Sequence, residues 1–497
     1  MQIECLLGDT PRLAPGRIAL TDGRRTFTYG QLAPAVNLEA DFLLGTGGLR
    51  FGLLADNGCQ WVIADLALHQ LQRVNVPLPA YFTAAQMRHA IDDACVDALV
   101  TDSPGKVRDL WPEFRIAGQS PASGLTVLRR VVDECARRPV PFGVTKITYT
   151  SGSTADPKGV CLENAAMNRV TRAMVNVTAP IGIARHLCLM PLPTLLENLA
   201  GVHAPLRSGA SCIVPSSADT GMSYGTLDPQ RLLATISLHQ PESLILVPEL
   251  LRLIVRAAQD GYRVPGTLKF IAVGGAPVSR SLLEEAAALR LPVFEGYGLS
   301  ESTSVVCLNT PHAARLGSVG RPMPHVNLRL DARGELHVRG SVMSGYLGDT
   351  ATSGGEIATG DLAEIDPDGF VYIRGRLRNL FITSLGRNVS PEWIERELSH
   401  EPPIRHAVAF GEGRPEVSAL VCAARPELDS AAVARAIEHA NQRLPEYARV
   451  RRFARMPETP TLSNGLLTAN GRLRRDRVLE RFGSLLEQAA SLLDQAA

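Results

Sequence analysis

The sequence predicts an α/β protein: a large N-terminal body of mixed and parallel sheets with helices, a β-rich subdomain, and a small α+β C-terminal domain. Three observations predict it. Short apolar runs alternate with helix-period segments through most of the first 380 residues, the pattern of crossovers over largely parallel sheets. After residue 320 the pattern becomes alternating strands with Asp-Gly or Arg-Gly turns, which are antiparallel. From about 380 a compact segment mixes short strands with amphipathic helices. A chain of 497 residues is also too long for one core.

The elements follow in order. "LRFGLLAD" (49–56) reads as a strand, and "CQWVIADLALHQLQ" (59–72) as a helix with apolar residues at helical spacing. "VNVPLPA" (74–80) is a short extended strand, and "DALVTD" (97–102) closes the next unit. "GVCLENAAMNRVTRAM" (159–174) is expected to be a helix. "SLILVP", "KFIAVGG" and "LPVFEGYG" repeat the strand design, with the helix "SRSLLEEAAALR" between the last two. "NLRLDARGELHVRG" and "GDLAEIDPDGFVYIRG" read as antiparallel pairs. Then come "NLFITS", the helix "SPEWIERELSH", the strands "IRHAVAFG" and "VSALVCAA", and a long amphipathic helix from Ser430. These place a boundary near Asn379, between an N-terminal domain of residues 1–378 and a C-terminal domain of residues 379–497.

Composition narrows the function classes. A net charge of +1 creates no overall field for nucleic acid or an acidic membrane. The basic clusters "RVRRFAR" (449–455) and "RLRRDR" (472–477) read as solvated helix faces rather than a nucleic-acid site. Nine cysteines, scattered and never spaced as CxxC, argue against a disulfide framework and a structural zinc site. No secretory signal and no apolar run long enough to span a membrane are seen, so the expectation is a cytoplasmic protein with free thiols.

"YTSGSTADPKGV" (149–160) holds one of only four lysines, set against 47 arginines. Its glycines and hydroxyl residues can present several N–H and O–H donors to one anion, phosphate being the natural candidate. The Walker spacing fails: five residues separate Gly152 from Lys158, and Gly159 follows the lysine. Taken alone, the loop is either a polar turn or a phosphate cradle.

Further segments complete a resemblance. The loop resembles the TSG[ST]TGxPKG phosphate loop of the adenylate-forming (AMP-binding) enzymes. "GGAP" (274–277), "EGYGLSES" (295–302), "GSVGRP" (317–322), "ATGDLAEIDPDGFVYIRGR" (358–376) and "SLGRNVSPEWIE" (384–395) follow in that family's order. Upstream, "TFTYGQLAPAVNLEADFL" and "NVPLPAYFTAAQMRHAI" resemble its N-terminal segments. "LPTLLEN" (192–198) and "NGLLTANGRLRR" (464–475) look most like long-chain fatty acyl-CoA synthetases.

The resemblance implies a two-step ligase that uses ATP, Mg²⁺ and coenzyme A, or the phosphopantetheine of an acyl-carrier protein. A carboxylate attacks the α-phosphate of ATP, and a thiol then takes the acyl group. It assigns Thr150, Ser151, Gly152, Ser153 and Thr154 to the phosphates, with Lys158 as a point charge near pyrophosphate. Glu301 and Thr154 are the metal candidates, a carboxylate being the natural ligand of a hard divalent ion. Gly275, Ala276 and Pro277 would line the adenine, with Tyr297 stacking on it and Gly298 in the same motif. Ser300 would contact the α-phosphate, Asp361 the ribose hydroxyls, and Arg376 the ribose or phosphate. Asn379 would be the hinge of a mobile C-terminal lid, and Gly386 would flank the thiol tunnel. Walls of the acyl pocket are expected around Thr194, Val247 and Val273.

Three positions depart from the pattern. Ala155 replaces a glycine, and Thr194 stands where the long-chain group has histidine; the nearby His203 reads as a core histidine. Arg472 occupies the place of the late lysine that contacts the carboxylate and α-phosphate. Arginine keeps the charge but not the shape. Either Arg472 does the lysine's task or adenylation is weakened. The readings are therefore a fatty-acid:CoA ligase, a relative that loads a carrier protein or activates a β-hydroxy or aryl acid, and a catalytically weak acyl-adenylate or acyl-CoA binding protein.

Overall fold

The computed structural model describes residues 4–133, 138–150, 157–223, 226–349, 354–379, 381–382, 388–412, 414, 416–461, 463–467 and 473–486. Among them, a nine-stranded and an eight-stranded sheet form the body. In the first, Ser243–Leu246 pairs in parallel with Arg185–Leu187 and Phe270–Val273, and the latter pairs in parallel with Val293–Leu299. In the second, Arg50–Leu54 lies parallel to Val74–Pro77 and Ala98–Thr101, with antiparallel pairs toward both edges.

The helix Cys59–Leu71 is buried around its whole circumference, from Trp61 to His69. Leu20 and Cys212 of one sheet and Phe51 and Val100 of the other share its core. A helix apolar on every face is stable only when covered on every face. A four-stranded antiparallel sheet follows, built from Val326–Leu330, Glu335–Gly340, Glu356–Ile365 and Val371–Arg376, as the alternation predicts.

Beyond residue 380, Ile404–Phe410, Val417–Ala423 and Val450–Arg455 make a three-stranded sheet packed by the helices Pro391–His400 and Ser430–Asn441. The two cores of this region draw only on residues 381–486, and the other four draw their buried residues only from 6–371.

Three sequence expectations fail. Residues 159–174 are not one helix: Lys158–Glu163 is a strand and the helix is Asn164–Thr178. The strand is sandwiched, with Val160 and Leu162 in one core and Cys161 in another. That two-sided burial erases the alternation that marks a strand. "RVRRFAR" is likewise a strand. Val450 and Phe453, three apart as on a helix, are both fully buried because a register shift beside Val450 takes up one extra residue. In "RLRRDR", Arg475 opens the helix Arg475–Phe482, but its guanidinium donates to the Ala409 carbonyl at 2.8 Å and pairs with Glu395. It is no solvated face residue.

Candidate active site

The strands Val144–Thr150 and Lys158–Glu163 pair antiparallel, with Thr150 opposite Lys158. The predicted phosphate loop thus joins the ends of a hairpin. Ser151, Gly152, Ser153, Thr154 and Ala155, and the side chain of Thr150, lie outside the described residues. Lys158 is exposed, with its Nζ 5.1 Å from the centroid of the Tyr346 ring. The Tyr346 hydroxyl donates to Glu301 Oε1 at 2.9 Å. One aromatic side chain therefore links the loop lysine to the metal candidate. Tyr346 is held by antiparallel pairing of Gly345–Tyr346 with Val160 and Cys161. Sequence reasoning passed over it, because nothing local distinguishes it from any other tyrosine.

Glu301 sits in a single turn, Ser300–Ser302, at the end of the strand Val293–Leu299. Thr303 and Ser304 follow at φ 56° and 90°, a left-handed conformation that side chains rarely adopt. The turn is pinned by a close approach at Gly298, where a Cβ would stand 1.7 Å from the Ser304 carbonyl oxygen. Only glycine lets the two backbones meet. As a metal site, Glu301 keeps one carboxylate oxygen beyond the Tyr346 bond, which suits an ion taken through one carboxylate and substrate phosphates.

Asp361 is 4% exposed. The Tyr297 hydroxyl donates to its Oδ2 at 2.5 Å, and Arg376 Nε lies 2.8 Å from Oδ1. Burial raises the Asp361 pKa above the ordinary carboxylate value, and Arg376 and Tyr297 oppose that shift only in part. Burial and the neighbouring carboxylate push the Tyr297 hydroxyl well above its ordinary value, so it stays a donor. Gly275 adopts φ +78°, and a Cβ at Gly274 would lie 2.8 Å from the Gly296 carbonyl oxygen, so the "GG" turn hugs the next strand.

One cleft of about 2380 Å³ gathers these groups. Gly275, Ala276, Pro277, Tyr297, Gly298, Ser300, Glu301, Asp361 and Arg376 all border it. So do Thr194, Val247 and Val273, the expected acyl-pocket positions. The volume exceeds that of a typical single-ligand pocket, about 300–1,000 Å³. Lys158 is joined to the cleft through Tyr346. Gly386 and Arg472 lie outside the described residues, although Leu473 and Arg474 border the cleft. Asn379 donates to Glu392, which also borders it. Partly exposed toward the cleft, Glu295 has its carboxyl raised to about 8 by desolvation, against the pull of Arg396. Desolvation likewise raises Glu395 to about 7, with Arg475 opposing.

His203 is a core histidine, as expected, but it is not apolar filler. Its Nε2 lies 2.8 Å from Asp65 Oδ2, and Lys146 Nζ lies 2.8 Å from Asp65 Oδ1. Asn75 and Asn198 each donate an amide hydrogen to the same carboxylate, at 2.7 and 2.8 Å. Lys146 stands on the hairpin strand that leads into the predicted phosphate loop. The sequence singled it out only as a rare lysine.

The fold and this cleft define an α/β body with one large cleft and a separately cored C-terminal region. The sequence profile of the AMP-binding enzyme family matches residues 9–347, and that of the AMP-binding enzyme C-terminal domain matches residues 379–492. The chain belongs to the AMP-binding enzyme family. A long-chain-fatty-acid–CoA ligase of Mycobacterium bovis is 27% identical, with 94% of this chain and 93% of the relative covered. A 2-succinylbenzoate–CoA ligase of Staphylococcus aureus is 26% identical, over 91% and 96%. The o-succinylbenzoate–CoA synthetase of Bacillus subtilis has the same fold. Its complex with an acyl-adenylate intermediate gives a TM-score of 0.75 at 21% identity, over 95% and 97% of the chains. Its complex with ATP and a magnesium ion gives 0.74 at 22%, over 95% and 98%. Among the described residues, no helix is long and apolar enough to cross a membrane.

Proposed function

We propose that this enzyme is an ATP-dependent, AMP-forming acid–thiol ligase that activates a fatty or related carboxylic acid and transfers it to coenzyme A. The carrying observation is the convergence on one cleft of a buried carboxylate braced for hydroxyl recognition (Asp361), a metal-suited carboxylate (Glu301) and the tight Gly274–Gly275 turn. Asp361 accepts the ribose hydroxyls, since an ionised carboxylate is acceptor-only and its Arg376 and Tyr297 contacts leave lone pairs to spare. Gly275, Ala276 and Pro277 form the adenine wall, with Tyr297 beside it. Ser300 contacts the α-phosphate. The loop residues 150–154 and Lys158 hold the β- and γ-phosphates, where positioning and charge supply most of the catalysis. Glu301 with Thr154 would hold Mg²⁺, which when bound would supply charge neutralisation to the phosphates. Arg472 orients the substrate carboxylate. Asn379 is the hinge between residues 1–378 and 379–497, and Gly386 leaves room for the pantetheine arm.

ATP–pyrophosphate exchange with a panel of acids, followed by AMP and acyl-thioester formation with coenzyme A, tests the reading. Exchange dependent on both an acid and Mg²⁺ is expected. Absence of exchange with every acid refutes the ligase; exchange with acyl transfer only to a carrier protein reassigns the acceptor.

A further inference from the structure

The cleft does not end at an apolar wall. It follows the strand Ser243–Leu246 from Val247, beside the Gly275 turn, back to Ser243, a run of about 13 Å at the usual rise per residue. At that far end stand His186, Ser243 and Glu197, which all border the cavity and are 3%, 3% and 0% exposed. His186 Nδ1 lies 2.8 Å from Ser243 Oγ, and His186 Nε2 lies 3.2 Å from Glu197 Oε1. The register of the two strands fixes this row, because His186 and Ser243 are paired neighbours. Glu197 opens a π-helical turn, Glu197–His203, an irregularity common at functional sites. Gly201 on that turn leaves the space: a Cβ there would meet Glu197 Oε1 at 2.4 Å and His186 Nε2 at 2.9 Å.

One oxygen is left over. Glu197 Oε2 is buried and takes no N–H or O–H donor among the described residues; its polar neighbour is the Cys188 thiol, a weak donor to this carboxylate. A buried carboxylate oxygen served by nothing stronger than a thiol is costly and rare, and in a native protein it calls for a reason. The neighbouring wall is apolar, with Met174, Ile245, Phe270 and Ala200 along the same cavity. Apolar lining that leads to a buried, weakly served acceptor is complementary to a substrate with an apolar middle and a donor at its tip.

Resting on the ligase reading, we infer that the acid activated here carries a hydrogen-bond donor, a hydroxyl or amino group, at the end remote from its carboxylate, and that Glu197 receives it. Glu197, steadied by His186 and Ser243, is a specificity-determining residue. Sites built to bond a polar group discriminate strongly against analogues that lack it, because the site's own buried group is then left unpaired.

The test compares length-matched acids, plain alkanoic against ω-hydroxy and ω-amino, and benzoic against hydroxy- and aminobenzoic, by ATP–pyrophosphate exchange with the full-length enzyme. The donor-bearing member of at least one pair is expected to have kcat/KM higher by about 100-fold. In Glu197→Gln the ratio within that pair should collapse toward one, and Ser243→Ala, which removes only a hydroxyl, should reduce it partially. No exchange with any acid refutes the ligase reading itself. Exchange at equal efficiency for both members of every pair refutes this inference alone. A stoichiometric metal ion, found by elemental analysis and lost in Cys188→Ser, would overturn it by assigning His186, Cys188 and Glu197 to a metal.

Discussion

Replacing Lys146 with methionine should destabilise the N-terminal body far more than an average substitution. The lysine is 2% exposed and its partner Asp65 is 1% exposed, with 2.8 Å between Nζ and Oδ1. Burial by itself would raise the Asp65 pKa, but the Lys146 charge and the His203 ring outweigh it and hold the carboxyl well below its ordinary value. Methionine fills the volume but leaves Asp65 with Asn75, Asn198 and His203 and no lysine charge. Breaking a buried pair from one side costs about 3–5 kcal/mol. Asp65→Leu, the mirror change, strands the lysine and should cost a similar amount. The double variant removes both charges and should recover at least about 2 kcal/mol of the summed losses. Urea unfolding followed by tryptophan fluorescence reads this out, since Trp61 lies on the same helix as Asp65 and is fully buried. A single-variant loss below about 1 kcal/mol, or losses that simply add, would refute a coupled buried pair. The pH signature has a fixed sign. Asp65's native pKa is depressed, so its contribution is present above the ordinary carboxylate range and lost as pH falls through the native value.

Glu295 should behave in the opposite sense. Its native pKa is raised to about 8, so between the unfolded value near 4.5 and 8 the native state holds a proton that the unfolded chain has released. Stability from this group is complete below that window and is lost as pH rises through it. Glu295→Gln should therefore raise the melting temperature at pH 8.5 and leave it nearly unchanged at pH 4.5 in paired thermal scans; an equal shift at both would contradict the raised pKa. Gly298→Ala places a Cβ 1.7 Å from a backbone oxygen, and overpacking of that kind costs about 1–3 kcal/mol or more. Lower thermal stability and a large loss of exchange activity are expected, and a wild-type profile would show that the turn can open. Asp361→Asn should weaken nucleotide binding, seen by calorimetry with ATP and Mg²⁺, by roughly 1.5–3 kcal/mol, the usual worth of a charged hydrogen bond; unchanged affinity would remove Asp361 from the site. Arg472→Ala should slow adenylation more than thiolation in single-turnover assays, and equal effects on both steps would refute its assignment to the first.

Much of the fold was legible because strands and helices write their burial into local periodicity. The parallel strands around Leu53, Ile245 and Ile271, and the antiparallel pairs after residue 320, stand where alternation and apolar runs put them. The two misread segments share one cause. "GVCLE" is covered on both faces, and "RVRRFAR" contains a register shift, so each carries a misleading period. Burial from two sides and register are decided by partners distant in the chain.

The site divides the same way. Motif order along the sequence determined the chemistry to expect at Gly275, Tyr297, Glu301, Asp361 and Arg376, because glycine turns and carboxylates announce themselves locally. Only the tertiary structure decided who holds them: Tyr346 against Glu301, Tyr297 and Arg376 on Asp361, and Lys146, 81 residues from Asp65, neutralising a charge inside a buried helix. It alone also brought Glu197 and His186 together at the far end of the cleft. A side chain's type is a property of one position, whereas its burial, its pairing and an oxygen left with only a weak donor belong to contacts between strands and helices that only folding brings together.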